Sequence, residues 1–218
     1  MKKILLIGGG GHCKSVLDSL LRLDVYSDIG IIDRKENVGK DILGISIIGS
    51  DYDLQRLLTQ GYIYAFVTVG SIGNPAHRIK LFQHMLEVGF QTPNIIDHSA
   101  IVSHDADVGA GVFIGKHAII NAGSVINTGA IINSGAIIEH DCFIGEFAHV
   151  APGAVLSGGV QIGEHTHVGA RSVIRQHLTI GSGTTIGIGS VVVSDLRNDV
   201  IAYGNPCMEV RSKNDEGL

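Results

Sequence analysis

The sequence predicts two domains built on different plans. Residues 1–93 read as an α/β unit with a small parallel sheet, and residues 94–199 as a stack of parallel six-residue repeats, closed by a short cap or tail over 200–218. Three observations carry this reading. Strand-like and helix-like stretches alternate as far as residue 93. From Ile96 onward every sixth residue is aliphatic for seventeen positions, ending at Val192, with no slip in register. Thirty glycines, no tryptophan and only 5% aromatic residues in 218 imply an aliphatic core and a chain that turns often.

The elements follow in order. Residues 2–8, KKILLIG, form a short buried strand that runs into a glycine cluster. In residues 12–23, Val16, Leu17, Leu20, Leu21 and Leu23 recur at helical spacing. Residues 29–33, IGIID, are a second strand, and residues 50–61 a helix with a Ser/Asp start and a glycine stop. A third strand spans 62–70, and 74–89 is a helix with proline in its first turn. Alternation of this kind implies a Rossmann-like parallel sheet with right-handed crossovers.

In the second half, the residue four after each aliphatic position is mostly small, as at Ala118, Ser124, Ala130, Ala136 and Cys142. Glycine or asparagine commonly follows the aliphatic residue, as at Gly109, Asn121, Gly145 and Gly163, where we expect a corner that needs positive φ. One short strand and one tight corner fill six residues. A single unit buries too little to stand alone, so the units must stack.

Composition excludes some functions. A net charge of −5 argues against a nucleic-acid partner. Cys13, Cys142 and Cys207 are an odd count without a CxxC, which suggests reduced thiols and a cytoplasmic protein. Only four apolar residues stand between the two lysines and the first glycine, too few for a signal peptide or a membrane insertion.

The six-residue period resembles the left-handed parallel β-helix of the hexapeptide acyltransferases, and the left hand comes from that resemblance. There, three hexads make one 18-residue coil, so residues 18 apart stack at about 4.8 Å. On this register His140 and Asp141 sit at a corner facing outward, with Gly158 one coil above His140. His149 lies on the neighbouring strand beneath His167. A base, a carboxylate and exposed backbone N–H groups near Gly158 are parts that acyl transfer uses. The other histidines of the repeats, His104, His117, His165 and His177, read as surface groups. The γ-class carbonic anhydrases share this helix and bind zinc through three histidines, but no histidine pair here has their five-residue spacing, so no metal is expected.

In the first half, IGGGGHCK follows a strand and opens a helix, where backbone N–H groups favour phosphate. It is not GxGxxG, which counts against NAD. Asp33 ends the second strand, where it either takes ribose hydroxyls or simply turns the chain. The segment GSIGNPAHR (70–78) either closes the same pocket, with Arg78 near a phosphate, or is a glycine turn before a helix.

Together GGGGH, IIDR, GSIGNPAHR, IEHDCFIGEFAHVAPGAVLSGG and the closing YGNP resemble the sugar acyltransferases of surface-glycan pathways. This family includes sialic acid O-acetyltransferases and the UDP-4-amino-sugar N-acetyltransferases that form UDP-N,N′-diacetylbacillosamine. The resemblance implies His140 as general base and Asp141 as the carboxylate that raises its basicity. It implies acetyl-CoA as co-substrate, touched by His149, Gly158, Ala170 and Ile188. A UDP-sugar pocket at Gly10, Gly11, His12, Asp33, Arg34 and Gly73 is implied, as is a homotrimer. "DR" at 33–34 stands where the bacillosamine enzyme has two acidic residues, so a GDP- or CMP-linked sugar or free sialic acid stays open as acceptor. A scaffold that binds a nucleotide sugar without chemistry is the reading from a different class.

Overall fold

The computed structural model describes residues 2–213 and divides into two compact units. The first holds the chain up to Gly70 together with Ala76–His98; the second holds Ser71–Pro75 and the chain from Ser99 onward.

In the first unit the elements run β1 (Lys3–Ile7), α1 (Gly11–Leu23), β2 (Asp28–Ile32), β3 (Asp41–Ile42), β4 (Ile45–Gly49), α2 (Leu54–Thr59), β5 (Tyr64–Val67) and α3 (Ala76–Val88). The sheet order is β3-β4-β2-β1-β5, with β1 parallel to both β2 and β5. Ile4, Leu5, Leu6 and Ile7 are 0–1% exposed, which explains the unbroken apolar run: a central parallel strand is covered on both faces. α1 turns Cys13, Val16, Leu17 and Leu20 inward.

Two features depart from expectation. β3 and β4 form a hairpin, turning through Leu43 and Gly44 at positive φ, and β4 joins β2 in parallel. A two-residue strand beside a five-residue one has too short a period to stand out from loop. The helix expected over 50–61 is also shorter. Its start is a 3-10 turn, Asp51–Asp53, with a reciprocal capping box between Ser50 and Asp53, and Gly61 at φ +92° follows its end.

The second unit is a parallel β-helix of two-residue strands in three sheets. One sheet stacks Ile101–Val102 through Val191–Val192 and a second stacks Asp107–Val108 through Thr179–Ile180. The third runs from Phe113–Ile114 to Thr185–Ile186. Partners are 18 residues apart throughout, as in Ile137↔Val155 and His149↔His167. From Ile114 to Val192 the aliphatic positions are all 0–1% exposed, each worth roughly 1.5–3 kcal/mol of burial. The small inward positions fill the rest. Three of the polar ones donate to the carbonyl 15 residues on, Ser124 to Glu139, Thr166 to Gly181 and Ser172 to Gly187, while Thr184 donates to the Arg197 carbonyl and Ser190 to the Gly187 carbonyl. A buried hydroxyl thus replaces alanine without stranding a polar group.

The corners work differently from the expectation. Positive φ falls three residues after the aliphatic position, at Gly111, His117, Gly123, Asp141 and their equivalents, not at the residue immediately after it. The glycines directly after the aliphatic residue are needed for another reason. A Cβ on Gly109 would stand 2.8 Å from the Thr128 nitrogen, and one on Gly145 2.5 Å from the Glu164 nitrogen. They admit the backbone of the next coil. Several left-handed corners carry side chains, and these lean onto a glycine in the coil before: Asp141 on Gly123, Phe147 on Gly129, His177 on Gly159 and Asp199 on Gly183.

The tail closes the stack. Val200–Gly204 pairs in parallel with Thr185–Ile186, and Cys207–Ser212 returns antiparallel against it. Val200, Ala202 and Cys207 are 0–3% exposed. Residues 214–218 of the expected cap or tail lie outside the described residues. Among the described residues no helix is long and apolar enough to cross a membrane.

Candidate active site

His140 and Asp141 occupy the corner between Ile137–Ile138 and Phe143–Ile144. Asp141 has φ +60°, a conformation that costs an L-residue roughly 1–2 kcal/mol. Its N–H donates to the Ala122 carbonyl one coil below. In this position its carboxylate rests over Gly123, where a Cβ would stand 2.5 Å from Oδ1. The other oxygen, Oδ2, accepts from His140 Nδ1 at 2.7 Å. A carboxylate can only accept, so Nδ1 carries the proton and Nε2 has the free lone pair. The hydrogen bond to Asp141 raises the His140 pKa, and the charges of Asp141 and Glu139 add to it. Both side chains are well exposed, at 61% and 72%.

The far edge of the imidazole lies on Gly158. A Cβ there would stand 2.6 Å from both Cε1 and Nε2 of His140. Gly158 is buried, with the ring lying over the side on which a Cβ would project. Its carbonyl accepts from the His177 N–H, and no acceptor for its own N–H is found among the described residues. Glu139, the other flanking carboxylate, accepts from Asn121 Nδ2 at 3.1 Å and serves the coil below. Cys142 is 1% exposed and its thiol, whose pKa burial raises, donates to the Ser157 carbonyl, so it is core.

His149 and His167 form a buried pair, with ring centroids 4.9 Å apart and edge to face. His149 is 9% exposed. Its Nδ1–H donates to the Ser71 carbonyl at 2.9 Å, and Nε2 accepts from Asn133 Nδ2 at 3.2 Å. Burial, His149 and Lys213 push the His167 pKa down to about 4. Ala170 is half-buried and its carbonyl accepts from the Gly189 N–H, while Ile188 is 81% exposed.

Also in the second unit, a cavity of about 590 Å³ lies at a different corner from His140. Gly73 and its neighbours Ile72 and Asn74 line it, with His165, Thr185 and Lys213. The Thr185 hydroxyl is buried there with no partner among the described residues.

In the first unit, β1 is flanked by β2 on one side and β5 on the other, the topological switch at which open α/β sheets bind ligands. Gly10 and Gly11 are exposed at the start of α1, and Gly70 approaches His12 closely enough that a Cβ would stand 3.4 Å from the His12 Cβ. The half-buried Asp33 accepts from the Gly9 N–H at 2.9 Å and the Arg34 N–H at 2.6 Å. Gly9 has no room for a Cβ against that carboxylate. Arg34 is exposed. Arg78 is only 4% exposed within α3, so it is not an open phosphate ligand. Among the described residues no cluster of three His, Cys, Asp or Glu side chains is arranged to hold a metal ion.

His140, Asp141 and Gly158 come together as their register implies. Gly73 clusters with the second unit, whereas Gly10, Gly11, His12, Asp33 and Arg34 belong to the first. Sequence reasoning missed Gly123, Asn133, Ser71 and Lys213. Gly123 alone had a signal, because it stands 18 residues before Asp141.

Comparison with known proteins gives a consistent result. Residues 3–85 match the PglD N-terminal domain family, and residues 141–176 match the bacterial transferase hexapeptide family (six repeats). The structure of PerB from Caulobacter crescentus in complex with CoA and GDP-perosamine is similar at 36% identity, covering 97% of this chain and 98% of that one, with a TM-score of 0.90. The acetyltransferase domain of PglB from Neisseria gonorrhoeae FA1090, in complex with acetyl coenzyme A, is similar at 34% identity, covering 96% and 99%, with a TM-score of 0.90. WeeI from Acinetobacter baumannii AYE shares the fold at 21% identity, covering 96% and 100%, with a TM-score of 0.77. No curated protein sequence matches the chain.

Proposed function

The chain belongs to the family of hexapeptide-repeat sugar acetyltransferases with a PglD-type amino-terminal domain, and from that premise we propose that it moves the acetyl group of acetyl-CoA onto the amino nitrogen of a nucleotide-linked sugar. The observation that carries this reading is the His140–Asp141 hydrogen bond, which leaves Nε2 as the free base against Gly158.

The sugar amine attacks the thioester carbonyl carbon, and His140 Nε2 takes the proton the nitrogen loses. Asp141 holds the ring in the Nδ1–H tautomer and stabilises the imidazolium that forms. The Gly158 N–H is assigned to the developing oxyanion. The carbon–sulfur bond then breaks, CoA thiolate leaves, and the proton on His140 returns to it. His149, Ala170 and Ile188 are assigned to acetyl-CoA. Gly10, Gly11, His12, Asp33, Arg34 and Gly73 are assigned to the nucleotide sugar.

The acceptor we favour is a UDP-4-amino-4,6-dideoxy sugar, giving UDP-N,N′-diacetylbacillosamine, in a cytoplasmic homotrimer. A GDP-linked amino sugar is the second reading, supported by the GDP-perosamine bound to PerB. The test is mass spectrometry of the purified protein with acetyl-CoA and a panel of UDP-, GDP- and CMP-linked amino sugars. An acetylated product is expected with one nucleotide class and should fall by orders of magnitude in His140→Ala. Binding without turnover across the panel would establish a scaffold and overturn the enzyme reading.

A further inference from the structure

Two side chains of the second unit, one in the β-helix and one in the returning tail, hold the 71–75 loop by its backbone. Near its start, His149 donates to the Ser71 carbonyl at 2.9 Å. Two residues on, Lys213 Nζ donates to the Gly73 carbonyl at 2.8 Å and to the Gly183 carbonyl at 2.6 Å. Lys213 is itself fixed, because its N–H donates to the Asp199 carbonyl at 2.7 Å. The Asp199 side chain in turn rests over Gly183. With the 71 and 73 carbonyls turned onto the β-helix, Ile72 between them is 81% exposed. Gly73 is also where a side chain would meet the Thr185 hydroxyl, at 3.3 Å. Its carbonyl accepts a charge-assisted hydrogen bond, the stronger kind.

We propose that Lys213 is a positioning residue: by clamping the Gly73 carbonyl to the corner at Gly183 it sets the conformation of the 71–75 loop, and so governs affinity for the acceptor sugar rather than for acetyl-CoA. The step from loop to acceptor rests on the transfer reading above. The clamp itself does not, so the two are tested separately.

Lys213→Met keeps the length of the side chain and removes the donor; Lys213→Arg keeps the charge and donors. Because the chain has no tryptophan, Ile72→Trp supplies a single emitter on the loop. In that background, with no substrate present, Lys213→Met should lower the fluorescence anisotropy of Trp emission, and Lys213→Arg should restore most of it. In turnover assays Lys213→Met should raise KM for the accepted nucleotide amino sugar about tenfold, the loss of one or two charged hydrogen bonds. The turnover number and KM for acetyl-CoA should stay within about twofold, and Lys213→Arg should recover most of the acceptor affinity. Unchanged anisotropy overturns the clamp. A fall in anisotropy with both KM values rising together, or with acceptor KM unchanged, overturns its link to the acceptor. A fall in anisotropy in a protein that acetylates nothing refutes the transfer reading and leaves the clamp standing.

Discussion

Gly158→Ala displaces the His140 ring while keeping the Gly158 N–H. Gly158 is not in the left-handed region, so alanine meets no backbone penalty there. The added methyl, however, would lie 2.6 Å from Cε1 and Nε2 of His140, whereas ordinary contact begins at 3.4 Å. The exposed imidazole must retreat by about 0.8 Å or rotate, and either motion strains its hydrogen bond to Asp141. A misplacement near 1 Å costs roughly 100-fold in rate. We therefore expect the turnover number to fall about 100-fold, with stability changed by less than about 1 kcal/mol, since the ring yields into solvent. The assay is steady-state acetyl transfer by Gly158→Ala, His140→Ala and the double variant, with thermal unfolding alongside. If the methyl acts through the ring, it should add little once the ring is gone, and the two losses should not multiply. Retention of more than half the activity in Gly158→Ala, or multiplicative losses in the double variant, would refute this account.

Three further predictions follow from the same geometry. The His140 pKa is raised by Asp141, so the base is free only above that raised value and activity should climb with pH through it; Asp141→Asn should lower the rate and move this acid limb to lower pH, read from a kcat/KM profile. His167 has its pKa depressed to about 4, so the unfolded chain takes up the proton first as pH falls through about 6.5. Stability should therefore drop by up to about 3 kcal/mol between pH 6.5 and 4, and His167→Gln should flatten that slope in urea titrations. Gly129 and Gly135 share φ +67°, but a Cβ on Gly129 runs into the Phe147 ring while one on Gly135 meets nothing. Gly135→Ala should cost about 1–2 kcal/mol of backbone strain, and Gly129→Ala clearly more; equal losses in calorimetry would remove the ring contact from the account.

The parts legible in the sequence are those that repeat. An inward aliphatic residue every sixth position is demanded by burial itself, so Ile114 to Val192 could be read as core before any contact was known. The same register placed Gly158 over His140 and His167 beside His149. Corner chemistry was read less well. Glycine after the aliphatic residue looked like a φ requirement and is instead a requirement for space, because Gly109 and Gly145 face the next coil's backbone. A letter code does not distinguish these two uses of glycine. In the first unit the β3–β4 hairpin escaped notice because two residues cannot display a period.

Sequence alone determined the stacking register, the small inward column and the pairing of His140 with Asp141, since each follows from local spacing and the cost of exposing apolar surface. Tertiary structure decided what those side chains do. It laid the imidazole over Gly158, sent Glu139 to Asn121, and engaged both nitrogens of His149 with Ser71 and Asn133. It also brought Lys213 to Gly73 across 140 residues of chain. A contact of that kind has no period and no neighbour in sequence; it exists because coil closure and the returning tail bring a donor and a carbonyl to one point.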